Sequence, residues 1–124
     1  MTSAAWGDIK VIRRADREFP PFLASMEEGP EALYCIGDVS LLKERAAAVV
    51  GARKCSEYGR QTALTIGGLL AENKIVTVSG MAAGIDSAAH TGALKQNGKT
   101  IAVLGCGPDV CYPRSNGKIY QAIC

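Results

Sequence analysis

Three times along the chain a short apolar run stops at a glycine, and an amphipathic pattern with helical spacing follows. Residues 46–50 give way to Gly51-Ala52-Arg53, residues 75–78 to Ser79-Gly80, and residues 100–104 to Gly105-Cys106-Gly107. Apolar runs of this length, bounded by turn residues, suit strands buried on both faces of a parallel sheet. After the first run, Ala63, Leu64, Ile66, Leu69 and Leu70 recur at helical spacing and predict a helix from about Glu57 to Asn73. Lys74 begins the second strand, Ser79-Gly80-Met81-Ala82-Ala83-Gly84 forms a turn, and a helix from about Ile85 to Gln96 is stopped by Asn97-Gly98. A last helix begins near Ser115 and the chain stops inside it.

Strands and helices alternating at this spacing predict right-handed parallel crossovers. The expected fold is a Rossmann-like three-layer α/β/α arrangement with a parallel sheet, cut short after three strands. Residues 46–124 read as the first half of such a domain. Residues 1–45 read as a lead-in segment. There Pro20-Pro21 opens a short helix through Phe22, Leu23 and Met26, Gly29-Pro30 stops it, residues 33–36 form a strand, and residues 41–45 are a connector. Gly67-Gly68 costs the first long helix about 1 kcal/mol per glycine relative to alanine. A close approach of that helix to the sheet would account for the pair.

Glycines at the carboxyl ends of neighbouring parallel strands sit side by side, where ligands of such sheets bind and helix N-termini face outward. The expected occupant is a phosphate. Gly51 lets the chain turn off its strand, Ala52 keeps the backbone open, and Arg53 offers a planar fork suited to bidentate phosphate contact. Ser56 can cap the helix that follows. Arg114 and Asn116 flank the turn after the third strand, at the same edge as Arg53. Two such arginines could hold consecutive phosphates of an extended strand with salt-sensitive, sequence-independent affinity.

Composition narrows the ligand. Hydrophobic residues make up 48% and charged residues 21% of 124, as in an ordinary globular chain. No apolar stretch approaches a membrane span, and the N-terminus has neither the basic start nor the apolar centre of a signal peptide, so a cytoplasmic protein is expected. Net charge is only +2, but residues 1–57 hold 8 basic against 9 acidic groups and residues 58–124 hold 6 against 3. Nucleic-acid contact must therefore come from a few placed groups rather than bulk charge. Five cysteines without a C-x-x-C pair, beside a single histidine, argue against a zinc site or a disulfide framework, and no metal is expected.

Familiar phosphate motifs fail. Val110 stands where G-x-G-x-x-G needs glycine or alanine after Gly105 and Gly107, and no Walker G-x-x-x-x-G-K-[ST] occurs. No nucleotide cofactor is expected. Asp86 and His90, four apart on one helix face and near Ser79 and Ser87, allow a hydrolase to be drawn, but Thr77 replaces the first glycine of G-x-S-x-G. The simpler reading gives Asp86 to the helix dipole and makes His90 a satisfied, partly buried histidine.

Taken together these residues resemble the DprA/Smf family of bacterial DNA-processing proteins. The shared blocks are Leu33-Tyr34 with Gly37-Asp38, Val50-Gly51-Ala52-Arg53 with Ser56-Glu57-Tyr58-Gly59, Val78-Ser79-Gly80 through Gly84-Ile85-Asp86 with Ala89-His90, and Leu104-Gly105-Cys106-Gly107 with Tyr112-Pro113-Arg114-Ser115-Asn116. The resemblance implies single-stranded DNA binding in natural transformation, protection of incoming DNA, loading of a RecA-type recombinase, action as a homodimer, and no enzymatic activity. It implies that Arg53 contacts DNA, that Arg114 occupies the basic position after Tyr-Pro, and that Gly51, Ser79, Gly80, Gly105 and Gly107 line the pocket with backbone donors; Gly84 is expected at the same phosphate site. Ala52 departs from the serine commoner in the family. The competing class is a nucleotide phosphoribohydrolase of the lysine decarboxylase-like family, whose P-G-G-x-G-T-x-x-E signature is absent from these residues.

Overall fold

The structure is a computed structural model describing residues 3–4, 7–105, 107 and 116–124. The lead-in begins with a two-residue antiparallel ladder between β1 (Ser3–Ala4) and β2 (Gly7–Asp8). Next, β3 (Lys10–Arg13) pairs antiparallel with β4 (Ala32–Cys35), in the register Val11↔Tyr34 and Ile12↔Leu33. Helix α1 (Pro21–Ala24) lies between them, a single turn with proline in its first position. It ends before Met26, where the apolar spacing had extended it. A 3-10 turn over Val39–Lys43, capped by the Asp38 carboxylate, stands where a plain connector was expected.

The main sheet holds three parallel strands, β5 (Ala46–Ala48), β6 (Val76–Ser79) and β7 (Thr100–Ala102), in that spatial order. Ala48 faces Val78, and Val78 faces Ile101. Strands β5 and β7 are shorter than their apolar runs, and β6 is shifted one residue beyond its own. Beyond the strands, the Val49 amide donates to the Val78 carbonyl at 2.9 Å and the Val103 amide to the Ser79 carbonyl at 2.8 Å. The crossovers are α2 (Glu57–Glu72) and α3 (Ile85–Lys95), and α4 (Gly117–Ile123) follows β7. The α/β fold with a parallel sheet is thus what the sequence pattern implied.

Helices α2 and α3 pack on each other through small residues, with Ala63, Ala88, Ala89 and Ala93 buried. A Cβ added at Gly67 would overlap the Ala89 carbonyl oxygen, and one at Gly92 would overlap the carbonyl of Leu64. The glycine pair was expected to bring α2 close to the sheet. Its partner is instead α3 on both counts, since a Cβ at Gly68 would press on Gln96 of the segment that ends α3. The two backbones approach too closely there for any side chain. Among the described residues no helix is long and apolar enough to cross a membrane.

Candidate functional site

The glycines that follow β5 and β6 converge on the head of α3. Asp86, in its first turn and only 6% exposed, accepts the Gly51 amide at 3.3 Å and the Gly80 amide at 3.1 Å. One carboxylate thus ties the ends of β5 and β6 together with two charge-assisted hydrogen bonds. Gly51 and Gly80 were expected to offer their backbone donors to a ligand. Both N–H groups already have an acceptor, because the 80–84 turn brings the start of α3 directly beneath them.

Neighbouring polar groups are engaged in the same way. Ser79 is buried, and its hydroxyl donates to the Val49 carbonyl at 2.5 Å, bridging β6 to the end of β5. Met81 is buried in the left-handed region at φ +62°, a costly conformation for a side chain of that size. Its carbonyl is held by the Asn116 amide at 2.8 Å, and the same Asn116 nitrogen donates to the Ser87 hydroxyl at 2.7 Å. Asn116 therefore fastens the 81–87 turn rather than reaching toward solvent.

Gly84 precedes α3 with φ +83°, and a Cβ on it would overlap the carbonyls of Ala52 and Arg53. The Ile85 amide also donates to the Ala52 carbonyl at 3.2 Å. The backbone of the 52–53 loop is therefore seated on α3, while the Arg53 residue is exposed and pairs with no described carboxylate. Ser56 caps α2 as its type and position imply, accepting the Gly59 amide at 3.0 Å. A Cβ on Gly59 would touch the Ile85 side chain, so the start of α2 lies against the same residue. A Cβ on Gly105 would meet none of the described residues within 4 Å, and Gly107 is exposed. Arg114 lies outside the described residues.

His90 is fully buried, and its Nδ1 lies 2.6 Å from the Thr100 hydroxyl. That hydroxyl donates its single proton to the Thr77 carbonyl at 2.8 Å, so Nδ1 must carry the proton shared with Thr100. Nε2 is then a bare acceptor, with no partner among the described residues. Burial pulls the imidazole down to about 4 against the opposing pull of the Asp86 charge, and it is neutral at pH 7. The expectation of a satisfied, partly buried histidine holds for one ring nitrogen only. The drawn hydrolase is not assembled: the Ser79 and Ser87 hydroxyls donate to the carbonyls of Val49 and Ala82, and Asp86 is held by the two glycine amides. Among the described residues no cluster of His, Cys, Asp and Glu could hold a metal ion.

Asp86 as a staple and Met81 as a strained turn residue were missed by sequence reasoning. Asp86 carried a signal, an acid six residues beyond a strand-end glycine, but helix-dipole pairing explained it equally well. Met81 carried none, since methionine rarely takes a left-handed conformation.

The family model described as DNA recombination-mediator protein A matches residues 10–124. The DNA processing protein DprA of Streptococcus pneumoniae is 45% identical over 106 residues, covering 85% of this chain and 37% of its own length. Protein Smf of Escherichia coli is 40% identical over 110 residues, covering 88% of this chain and 29% of its own. The X-ray structure of the S. pneumoniae protein superposes with a TM-score of 0.85 at 41% identity, over 95% of this chain and 41% of that one. The structure of DNA processing protein A from Helicobacter pylori, described for its single-stranded DNA binding mode, superposes with a TM-score of 0.81 at 32% identity, over 94% and 51%. The chain thus spans between 29% and 51% of the length of these proteins.

Proposed function

Because the chain belongs to the DNA recombination-mediator protein A family, we propose that it binds single-stranded DNA without regard to sequence, with Arg53 as the leading phosphate contact. The observation that carries this reading is the state of Arg53. Its loop is anchored to α3 through Gly84 and Ile85, while the charged residue itself is exposed and paired with no described carboxylate. A fixed base beneath an exposed guanidinium with no ion-pair partner among the described residues suits recognition of a phosphate.

The polar groups beneath serve as scaffold in this reading. Asp86, Ser79 and Asn116 fix the geometry of the turns, while Ser56, Gly105 and Gly107 belong to the edge over which a strand would run, and Arg114 is proposed as a second phosphate contact. With Asp86 occupying the amides of Gly51 and Gly80, phosphate affinity rests on the side chains. That favours backbone contact that is independent of base sequence. The S. pneumoniae and H. pylori relatives are DNA processing proteins, which favours this reading over the phosphoribohydrolase alternative. Within a longer protein of this family, we assign to the same edge the protection of incoming DNA in natural transformation and its delivery to a RecA-type recombinase. A homodimer acting in the cytoplasm completes the proposal.

Fluorescence anisotropy with labelled homopolymeric and mixed-sequence oligonucleotides of equal length tests the reading. Arg53→Ala is expected to weaken binding by a similar factor for every sequence. A loss confined to one base composition would contradict it, because a phosphate contact cannot distinguish bases.

A further inference from the structure

A cleft of about 270 Å³ lies between α2 and α3. That is near the lower end of ligand-pocket sizes, about 300–1,000 Å³. Its cations are Arg60 of α2 and Lys95 of α3, and no described carboxylate lines it. Arg60 is anchored by Glu57, with Nε to Oε2 at 3.1 Å and Nη2 to Oε1 at 2.6 Å. Lys95 pairs with no described carboxylate. Ser87, Thr91 and Lys95 stand at four-residue steps, which places them in one stripe along α3.

The hydroxyls of that stripe are already committed as donors. Ser87 donates to the Ala82 carbonyl at 2.6 Å, and Thr91 to the Ser87 carbonyl at 2.8 Å. The Ser87 hydroxyl also accepts from Asn116 at 2.7 Å, so acceptor capacity is left chiefly on Thr91, and donation to a ligand falls to the two cations. The cleft therefore fits an anion whose neighbouring groups carry N–H or O–H donors. A nucleotide has both, a phosphate and N–H groups, which every base carries.

The position of the cleft makes that nucleotide part of a strand. Gly84 lines it, and the same glycine packs directly on the Ala52–Arg53 backbone. One end of the cleft thus adjoins the loop that carries Arg53. Resting on the single-stranded DNA reading, we infer that the α2–α3 cleft holds a further nucleotide of the strand bound at Arg53, with Arg60 and Lys95 on its phosphate. The site size is then longer than the Arg53 edge alone requires.

A length series of oligonucleotides tests this with Arg60→Gln, Lys95→Gln and Arg53→Ala, at several salt concentrations. Both glutamine substitutions fall on exposed helical positions where the fold is insensitive. For long oligonucleotides each is expected to lower affinity about 3- to 10-fold, the range for loss of one hydrogen-bonded contact. Each should also reduce the salt slope by about 0.7, the value for one phosphate on a single strand. For oligonucleotides too short to reach from Arg53 into the cleft, both should bind as the unaltered protein does. The inference is overturned if long and short oligonucleotides are affected alike, or if neither is affected while Arg53→Ala still weakens both. It is also overturned if the variants lose only a free mononucleotide, for then the cleft serves a separate small ligand. If Arg53→Ala changes nothing at any length, the single-stranded DNA reading itself falls.

Discussion

Asp86 is a nearly buried carboxylate whose two oxygens are bonded to amides from different strands. Asparagine at this position keeps the shape but turns an N–H group toward one of those amides. Asp86→Asn is expected to destabilise the fold by about 2–3 kcal/mol, the scale of hydrogen bonds to a charged group. Urea unfolding should show a lowered midpoint, and an unchanged midpoint would refute the staple. His90 makes a second prediction. Its folded pKa of about 4 lies below its ordinary 6.5, so below pH 6.5 the unfolded chain takes up a proton that the folded chain refuses. Stability is therefore lost as pH falls from 6.5 toward 4, by about 3 kcal/mol in all. His90→Gln should flatten that part of the stability profile. A profile identical in the two proteins would contradict the buried neutral imidazole. The Ser56 cap could be placed from the sequence because its role is local. Asp86, Met81 and Asn116 could not, because their partners lie 6 to 35 residues away and nothing in residue type names them.

The seam between α2 and α3 sets the spacing of the crossover helices. Gly92→Ala gains about 1 kcal/mol of helix propensity but drives a Cβ into the Leu64 backbone. The net expectation is a loss of about 1–3 kcal/mol from forced separation of the helices. Gly105→Ala, where the added methyl meets none of the described residues within 4 Å, should leave stability unchanged. Thermal unfolding of the two variants checks the contrast, and equal midpoints would show that the helices can move apart freely. Both long helices were legible because their apolar residues repeat over three or more turns. Strand β3 was not, since Val11 and Ile12 between Lys10 and Arg13 give too short an alternation to register. The glycine pair of α2 announced a close approach without naming the partner. Spacing along one helix carries no information about the element it meets.

At the scale of the whole molecule, a near-neutral chain presents an exposed arginine on a loop whose backbone is seated on α3, beside a buried acidic staple. The surrounding strand ends were predicted as an open phosphate cradle, and the structure closes two of their amides internally. Periodicity revealed the three glycine turns, but whether their donors remained free depended on a side chain from the following helix. The central claim is that single-stranded DNA is held through its phosphates by side chains, with Arg53 foremost. The most direct measurement is the dependence of oligonucleotide affinity on salt for the unaltered protein and for Arg53→Ala. The account predicts a weaker affinity and a slope of log K against log salt shallower by about 0.7 in the variant. The same affinity and the same slope in both proteins would contradict it.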